Sequence, residues 1–369
     1  MNSSTDNNGL MKRFSGNILS YRESLFHAMD DALSINPHVV IMGQGVADHK
    51  GLFGTTLNLS SKYGTDRVFE TPLAEEAMAG IALGASLNGL YPINTHLRVD
   101  FALCCMNQIV NLIAKYKYMS GGRFECPMLI RMVIGRSWGQ GAQHSQSLQS
   151  FFSHVPGLMV LMPSRADSIL NDYPYIINSY RGPVISIEHR LLYDVKFNIE
   201  QDSEYSSDKP LSSHLIRKGN DITIVATSIM VLEALRAAQY LLKNAGIECE
   251  VIDLNCVSHP DKEMIMNSVN KTGKLIIADT SWQAYGVCAE VCRIVCENSP
   301  NSLKAPVMTL GMQPATCPTA KTLEDYFYPN LQTLTDAIAR IVCGKANHGI
   351  PLPDEHSMSD VYKKFKGPF

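Results

Sequence analysis

Residues 69–101 read FETPLAEEAMAGIALGASLNGLYPINTHLRVDF. Thr71-Pro72 makes a turn, and proline's fixed φ suits the start of a helix. Two adjacent carboxylates, Glu75 and Glu76, follow in the first turn of that helix. Neighbouring residues on a helix point about 100° apart, so only one of the pair can face inward. From Ala77 to Ala85 the chain carries no charge and no bulky polar group, and Gly80 and Gly84 share a face. A helix apolar nearly all round belongs in a core or a subunit interface, where the glycines would let another backbone approach. A carboxylate at its buried mouth then needs a partner. The plainer reading leaves both glutamates in solvent, complementing the helix dipole.

Working outward, 90–96 reads as a strand and 101–118 as one long apolar helix stopped by Ser120-Gly121-Gly122. Upstream, SYRESLFHAMDDAL (20–33) has helical spacing behind a serine cap. Val39 to Met42 is a short buried strand ending in Gly43-Gln44-Gly45. A dinucleotide fingerprint would need a third glycine where Asp48 stands, so the nucleotide reading is weak. The loop to Gly54, with His49 and Lys50, is expected to be flexible and close to a ligand or a neighbouring chain. Met128–Ile134, Val160–Pro163 and Pro183–Ile187 are further strands. Residues 196–217 are polar and aperiodic, and a second series of alternating strands and helices follows. The expected fold class is α/β, with two doubly wound domains. The expected divisions are a disordered lead (1–17), a first domain (18–195), a linker (196–217), a second domain (218–345) and a tail (346–369).

At 369 residues the chain suits two domains, and 45% hydrophobic with 18% charged residues supplies an ordinary soluble core. A net charge of −3 argues for neither nucleic acid nor an anionic membrane. Apolar runs stay too short to span a bilayer, and the polar opening MNSSTDNNGLMKRFSGN lacks the apolar region of a signal peptide. Ten cysteines without a CxxC fit a reducing, cytoplasmic setting better than a disulfide framework. Cys288, Cys292 and Cys296 form one helical stripe, too extended for a single metal ion, so core thiols are expected and no metal site.

GRSWGQGAQHSQSL (135–148) delivers His144 on a glycine-rich loop after a parallel strand, where ligands bind in such folds. Histidine moves protons near neutral pH, although a buried structural histidine or a helix cap would look the same. Arg98, Arg131 and Arg136 are candidate anion contacts or, equally, salt-bridge partners.

Ordered segments from Tyr21 to about Ile341 give these features a common frame. They include YRESLFHAMDDAL, RVFETPLAEEAMAGIALGASLNGLYPI, DFALCCMNQIVNLIAKYKYMSGG, GAQHSQSL, HVPGLMVLMPS and GPVISIEHRLLY, with ECEVIDLN and SVNKTGKLIIAD in the second half. Together they resemble the β subunit of thiamine-diphosphate-dependent 2-oxo acid dehydrogenases, the decarboxylating component. The resemblance implies a transketolase-type pyrimidine-binding domain followed by a transketolase C-terminal domain. It implies that Glu75 hydrogen-bonds the cofactor's aminopyrimidine, promoting the tautomer that removes the thiazolium C2 proton to form the ylide. A carboxylate shielded from water is suited to sharing a proton with a ring nitrogen. Phe101 would line the pyrimidine, and His144 would face the reactive carbon for proton transfer or for receiving the lipoyl group. Gln44 would stand where the family usually has an acidic loop residue, keeping hydrogen bonding but losing charge.

No GDG motif occurs, so Mg2+ and the diphosphate are expected on a partner α subunit of an α2β2 heterotetramer. A lipoyl-bearing acyltransferase is the further partner implied. Relatives that bind a structural potassium ion carry acidic or amide residues where this chain has NSYRGPV, so that ion is not expected. Arg98 and Arg136 depart from the family pattern and add positive charge beside the pocket. They motivate an alternative function, a thiamine-diphosphate-dependent carboligase that passes its activated unit to a small anionic acceptor.

Overall fold

The computed structural model describes residues 9–135, 139–200 and 210–355. They divide into two compact units. One comprises the described residues up to Ile134 with those of Phe151–Leu211. The other comprises the described residues of Gly135–Ser150 with those from Ser212 to Glu355.

The strands of the first unit are β1 (Ile18–Ser20), β2 (Val39–Gly43), β3 (Val68–Glu70), β4 (Tyr91–His96), β5 (Met128–Ile134), β6 (Met159–Leu161), β7 (Pro183–His189) and β8 (Lys196–Asn198). β2 to β7 form a parallel six-stranded sheet in the order β3-β2-β4-β5-β7-β6. Every residue of β5 is buried, as expected of a central strand covered on both faces. The serine cap holds: Ser20 and Glu23 form a capping box at the start of helix Tyr21–Ile35. That helix packs along helix Ala166–Asn178.

The second unit contains β9 (His214–Arg217), β10 (Ile222–Ala226), β11 (Cys249–Asp253), β12 (Leu275–Trp282) and β13 (Met308–Met312). Their order is β13-β12-β10-β11-β9, parallel except for the antiparallel edge strand β9. Helices Ile229–Ala245 and Leu331–Cys343 pack together. Both units are doubly wound α/β structures, in agreement with the alternation along the chain.

Several expectations need correction. The lead is not wholly unstructured: Gly9–Phe14 is a helix that buries Leu10 and Met11. The supposed linker carries strands at both ends, β8 pairing with β1 and β9 with β11, because backbone pairing needs no hydrophobic periodicity. The helix expected over 101–118 begins at Val99 and changes winding, with a π-helical centre at Asn107–Ile113. The described part of the tail is docked, with Tyr240 Oη donating to the Pro351 carbonyl (3.1 Å) and Gln332 Nε2 to that of Pro353 (2.7 Å). The cysteine stripe also runs outward rather than staying in the core: Cys288 is buried, Cys292 half-buried and Cys296 exposed. No helix among the described residues is long and apolar enough to cross a membrane.

Candidate active site

In the first unit the chain leaves β2, forms β3 at the sheet edge, and returns as β4 on the other side of β2. The carboxyl ends of β2 and β4 therefore flank a topological switch point, where such sheets open to ligands. The two ends meet tightly. A Cβ at Gly43 (φ +150) would lie 2.0 Å from Thr95 Oγ1, so only glycine fits there.

The loop after Gly43 is tied down rather than loose. Glu70, at the end of β3, accepts from the amides of Gly45 (2.8 Å) and Ala47 (2.6 Å). Asp48 accepts from those of Lys50 (2.8 Å) and Gly51 (2.7 Å). A carboxylate of this same chain thus takes the amides that a phosphate would need, which disposes of the nucleotide reading of GQG. Farther on, Leu52 (φ 43) and Phe53 (φ 58) continue a left-handed turn, at about 1–2 kcal/mol each. Phe53 is held in it under the Arg190 guanidinium, 4.7 Å from the ring centre. Gln44 is half-buried in this loop, and His49 and Lys50 are exposed at its tip.

Helix Glu75–Leu87 starts at the same edge, with Ala74 as an N-cap that supplies no side-chain bond. Only Ala79, Ala82, Leu83 and Ser86 are buried, whereas Ile81 is 54% exposed. Among the described residues no backbone closes on Gly80 or Gly84. The outer apolar face is thus open in the single chain. Glu75 and Glu76 divide as helical geometry requires. Glu76 is exposed and accepts from Gln108 Nε2 at 2.9 Å. Glu75 is half-buried and makes no hydrogen bond or ion pair among the described residues. Both border a cavity of about 600 Å³ whose lining also includes Ala77, Gly80, Cys104 and Gln108.

Behind Glu75 lies His96 at the end of β4. Burial pushes its imidazole down to about 4, and the nearby Glu75 charge offsets only part of that. His96 is therefore neutral around pH 7, and its Nε2 lies 3.4 Å from Asn94 Nδ2. The thiol of Cys105 is pushed up to about 12, first by burial and then by the Glu75 charge. Glu75 thus sits between a neutral interior and an open cavity with its acceptor oxygens uncommitted by the protein. A donor-bearing heterocycle fits that arrangement.

The remaining candidates separate. Phe101 is 38% exposed, three residues before Cys104 and outside the cavity lining. Arg98 caps the turn Val99–Ala102 and is only 6% exposed, a buried cation rather than one displayed to solvent. Arg136 lies outside the described residues. Arg131 is not an anion contact at all. Its Nε and Nη2 donate to the two oxygens of Glu188 at 2.7 and 2.9 Å, with both side chains fully buried. Tyr173 and Tyr193 also donate to Glu188, at 3.0 and 2.7 Å. Burial, and then the Glu188 charge, push both phenols up, so they stay protonated donors.

His144 belongs to the second unit, within the loop 139–150, and is half-buried. Thr319 packs against Gly141, Tyr328 Oη donates to the Ser145 carbonyl (3.4 Å), and Ser147 and Gln149 bond to Thr280 and Asp279. Those partners lie far along the chain, and nothing in the local sequence marks them. Gln108 is nearly as silent. Its only sequence signal is the four-residue spacing from Cys104 along an apolar run.

Residues 18–196 match the model of the transketolase pyrimidine-binding domain, and residues 212–334 that of the transketolase C-terminal domain. The chain is 36% identical over 324 residues to the Arabidopsis thaliana pyruvate dehydrogenase E1 component subunit beta-1, mitochondrial, covering 87% of this chain and 89% of that one. The pyruvate dehydrogenase E1 component subunit beta of Rickettsia felis is 34% identical over 328 residues, covering 88% of this chain and 98% of the relative. Among solved structures, a split-gene transketolase described as an inactive β4 tetramer superposes with a TM-score of 0.71 at 22% identity. That match covers 88% of this chain and 98% of the other, and it speaks to the fold alone. With identity above 30% sustained over nearly the whole length of these relatives, the chain belongs to the pyruvate dehydrogenase E1 β-subunit family.

Proposed function

We propose that this chain is the β subunit of a thiamine-diphosphate-dependent 2-oxo acid decarboxylating dehydrogenase, acting with an α subunit in an α2β2 heterotetramer. Residues 18–195 would form its pyrimidine-binding domain and 218–345 its C-terminal domain. The observation that carries the reading is the uncommitted, half-buried carboxylate of Glu75 on the wall of a 600 Å³ cavity. Family membership implies the cofactor, and the donor set fits its aminopyrimidine face.

When bound, thiamine diphosphate supplies a nucleophilic carbon and an electron sink for decarboxylation. This chain's part is to hold and move protons around it. Glu75 accepts a hydrogen bond from a ring nitrogen and can share its proton. His96, neutral near Glu75, places no positive charge beside the carboxylate. Phe101 would lie against the ring and Gln44 would contribute amide hydrogen bonding. His144 would serve proton transfer when the acyl group passes to a lipoyl arm on a partner acyltransferase. Mg2+ and the diphosphate would be held by the α subunit. The open apolar face of helix Glu75–Leu87 is the surface an obligate partner would cover. The burial of Arg98 leaves the carboligase alternative without a supporting observation.

Reconstitution with the cognate α subunit tests the proposal. Pyruvate or a branched 2-oxo acid, thiamine diphosphate and Mg2+ should together acylate a cognate lipoyl domain. Turnover without any lipoyl acylation, but with transfer to a small anionic acceptor, would overturn the dehydrogenase reading.

A further inference from the structure

We propose that Asp279 is a positioning residue for His144, acting through Gln149 and Thr280. The inference rests on the reading of His144 as a proton-transfer group. Asp279, in the carboxyl half of β12, is fully buried and has no cationic partner among the described residues. A buried carboxylate without a counter-charge persists only if oriented donors surround it. Here they do. Oδ1 accepts from Thr227 Oγ1 (2.5 Å), Gln149 Nε2 (2.8 Å) and the Thr280 amide (2.8 Å), and Oδ2 accepts from Ser281 Oγ (2.6 Å).

A carboxylate can only accept, so Asp279 fixes the direction of the bonds that follow. Gln149 must turn its NH2 toward Asp279, which leaves its Oε1 to accept from Ser147 Oγ at 2.8 Å. Ser147, having spent its proton, takes one from Thr280 Oγ1 at 2.9 Å. Thr280 in turn accepts a second, longer bond from Gln149 Nε2 at 3.3 Å. The ring closes with every proton assigned, and it clamps 147–149 to the end of β12. On the other side of His144, Gly141 (φ +67) is seated against Thr319, where a Cβ would come within 2.7 Å of its Oγ1. Tyr328 holds the carbonyl of Ser145. The loop is thus pinned on both flanks of His144, and on the C-terminal flank the ring oriented by Asp279 holds 147–149 beyond the Tyr328 contact at Ser145.

Asp279→Leu keeps roughly the volume but removes the acceptor that turns the Gln149 NH2 inward, so the ring loses its orientation. In the full-length chain with labelled histidine, the His144 imidazole NMR signal, assigned from its loss in His144→Gln, should shift and broaden in Asp279→Leu. Ser281→Ala, which removes a donor from Oδ2 only, should leave it in place. In the reconstituted complex, Asp279→Leu should lower lipoyl-domain acylation roughly 10²-fold. Decarboxylation with an artificial electron acceptor should stay within a few-fold. Should Asp279→Leu fail to fold, Gln149→Leu cuts the same link and carries the same expectation. An unchanged His144 signal in a folded Asp279→Leu or Gln149→Leu protein would overturn the proposal. If His144→Gln itself left acylation intact, the proton-transfer reading of His144 would fall, while the NMR signal would still decide the positioning.

Discussion

Gln108 donates from Nε2 to Oε1 of Glu76 at 2.9 Å, and this one bond separates two carboxylates that are neighbours in sequence. Glu76 is committed to the protein and to solvent, whereas Glu75 is left to whatever enters the cavity. In the reconstituted complex, Glu75→Gln should lower cofactor C2 proton exchange by about 10²–10⁴-fold, the usual range for losing a general acid–base group. Glu76→Gln keeps an acceptor for Gln108 and should stay within a few-fold. The opposite ranking would show that the helix presents the other carboxylate to the cofactor.

Helix Glu75–Leu87, whose first turns line the cavity beside Glu75, also leaves Ile81 exposed. Under the two-subunit reading, the purified chain should give no saturable calorimetric heat with thiamine diphosphate and Mg2+. Adding the α subunit should restore binding. Tight stoichiometric binding to this chain alone would contradict the division of the site between subunits.

Arg131 and Glu188 lie on adjacent strands, β5 and β7, in a region without water access. Breaking such a pair strands a buried charge, at about 3–5 kcal/mol. Glu188→Gln and Arg131→Met should each lower stability by that order in denaturant titration. The double mutant should recover part of the loss, because no lone charge remains. Additive losses would mean that the two side chains act independently.

His96 gives the fold a defined acid sensitivity. Its folded value, near 4, is below the ordinary 6.5, so the unfolded chain binds the extra proton first. Stability then rises with pH across the window from about 4 to 6.5 and is lost as pH falls through it, with a ceiling of about 3 kcal/mol. Unfolding followed by circular dichroism should show this pH-dependent component in the wild type and a flatter profile in His96→Gln. Identical slopes would place the acid sensitivity elsewhere.

Much of this molecule is legible along the chain itself. β5 is visible as MLIRMVI because a parallel strand covered on both faces must be apolar almost throughout. Ser20 and Glu23 announce their helix because capping is local chemistry between residues three apart. The family segments single out Glu75 and His144 as candidates, and helical geometry alone requires that Glu75 and Glu76 diverge. Which one is committed to the protein depends on Gln108, 32 residues away on a run whose π-helical centre no spacing rule anticipates. Arg131 reads as a candidate anion contact because its partner stands 57 residues on, across a strand pairing. His144 sits in a segment of the first family domain, yet its loop bonds to Asp279 and Thr280, some 130 residues later. Periodicity and caps are properties of neighbouring residues and can be read along the chain. The commitments of buried polar groups are settled by whichever donors and acceptors folding brings within 3 Å, and those only the tertiary structure decided.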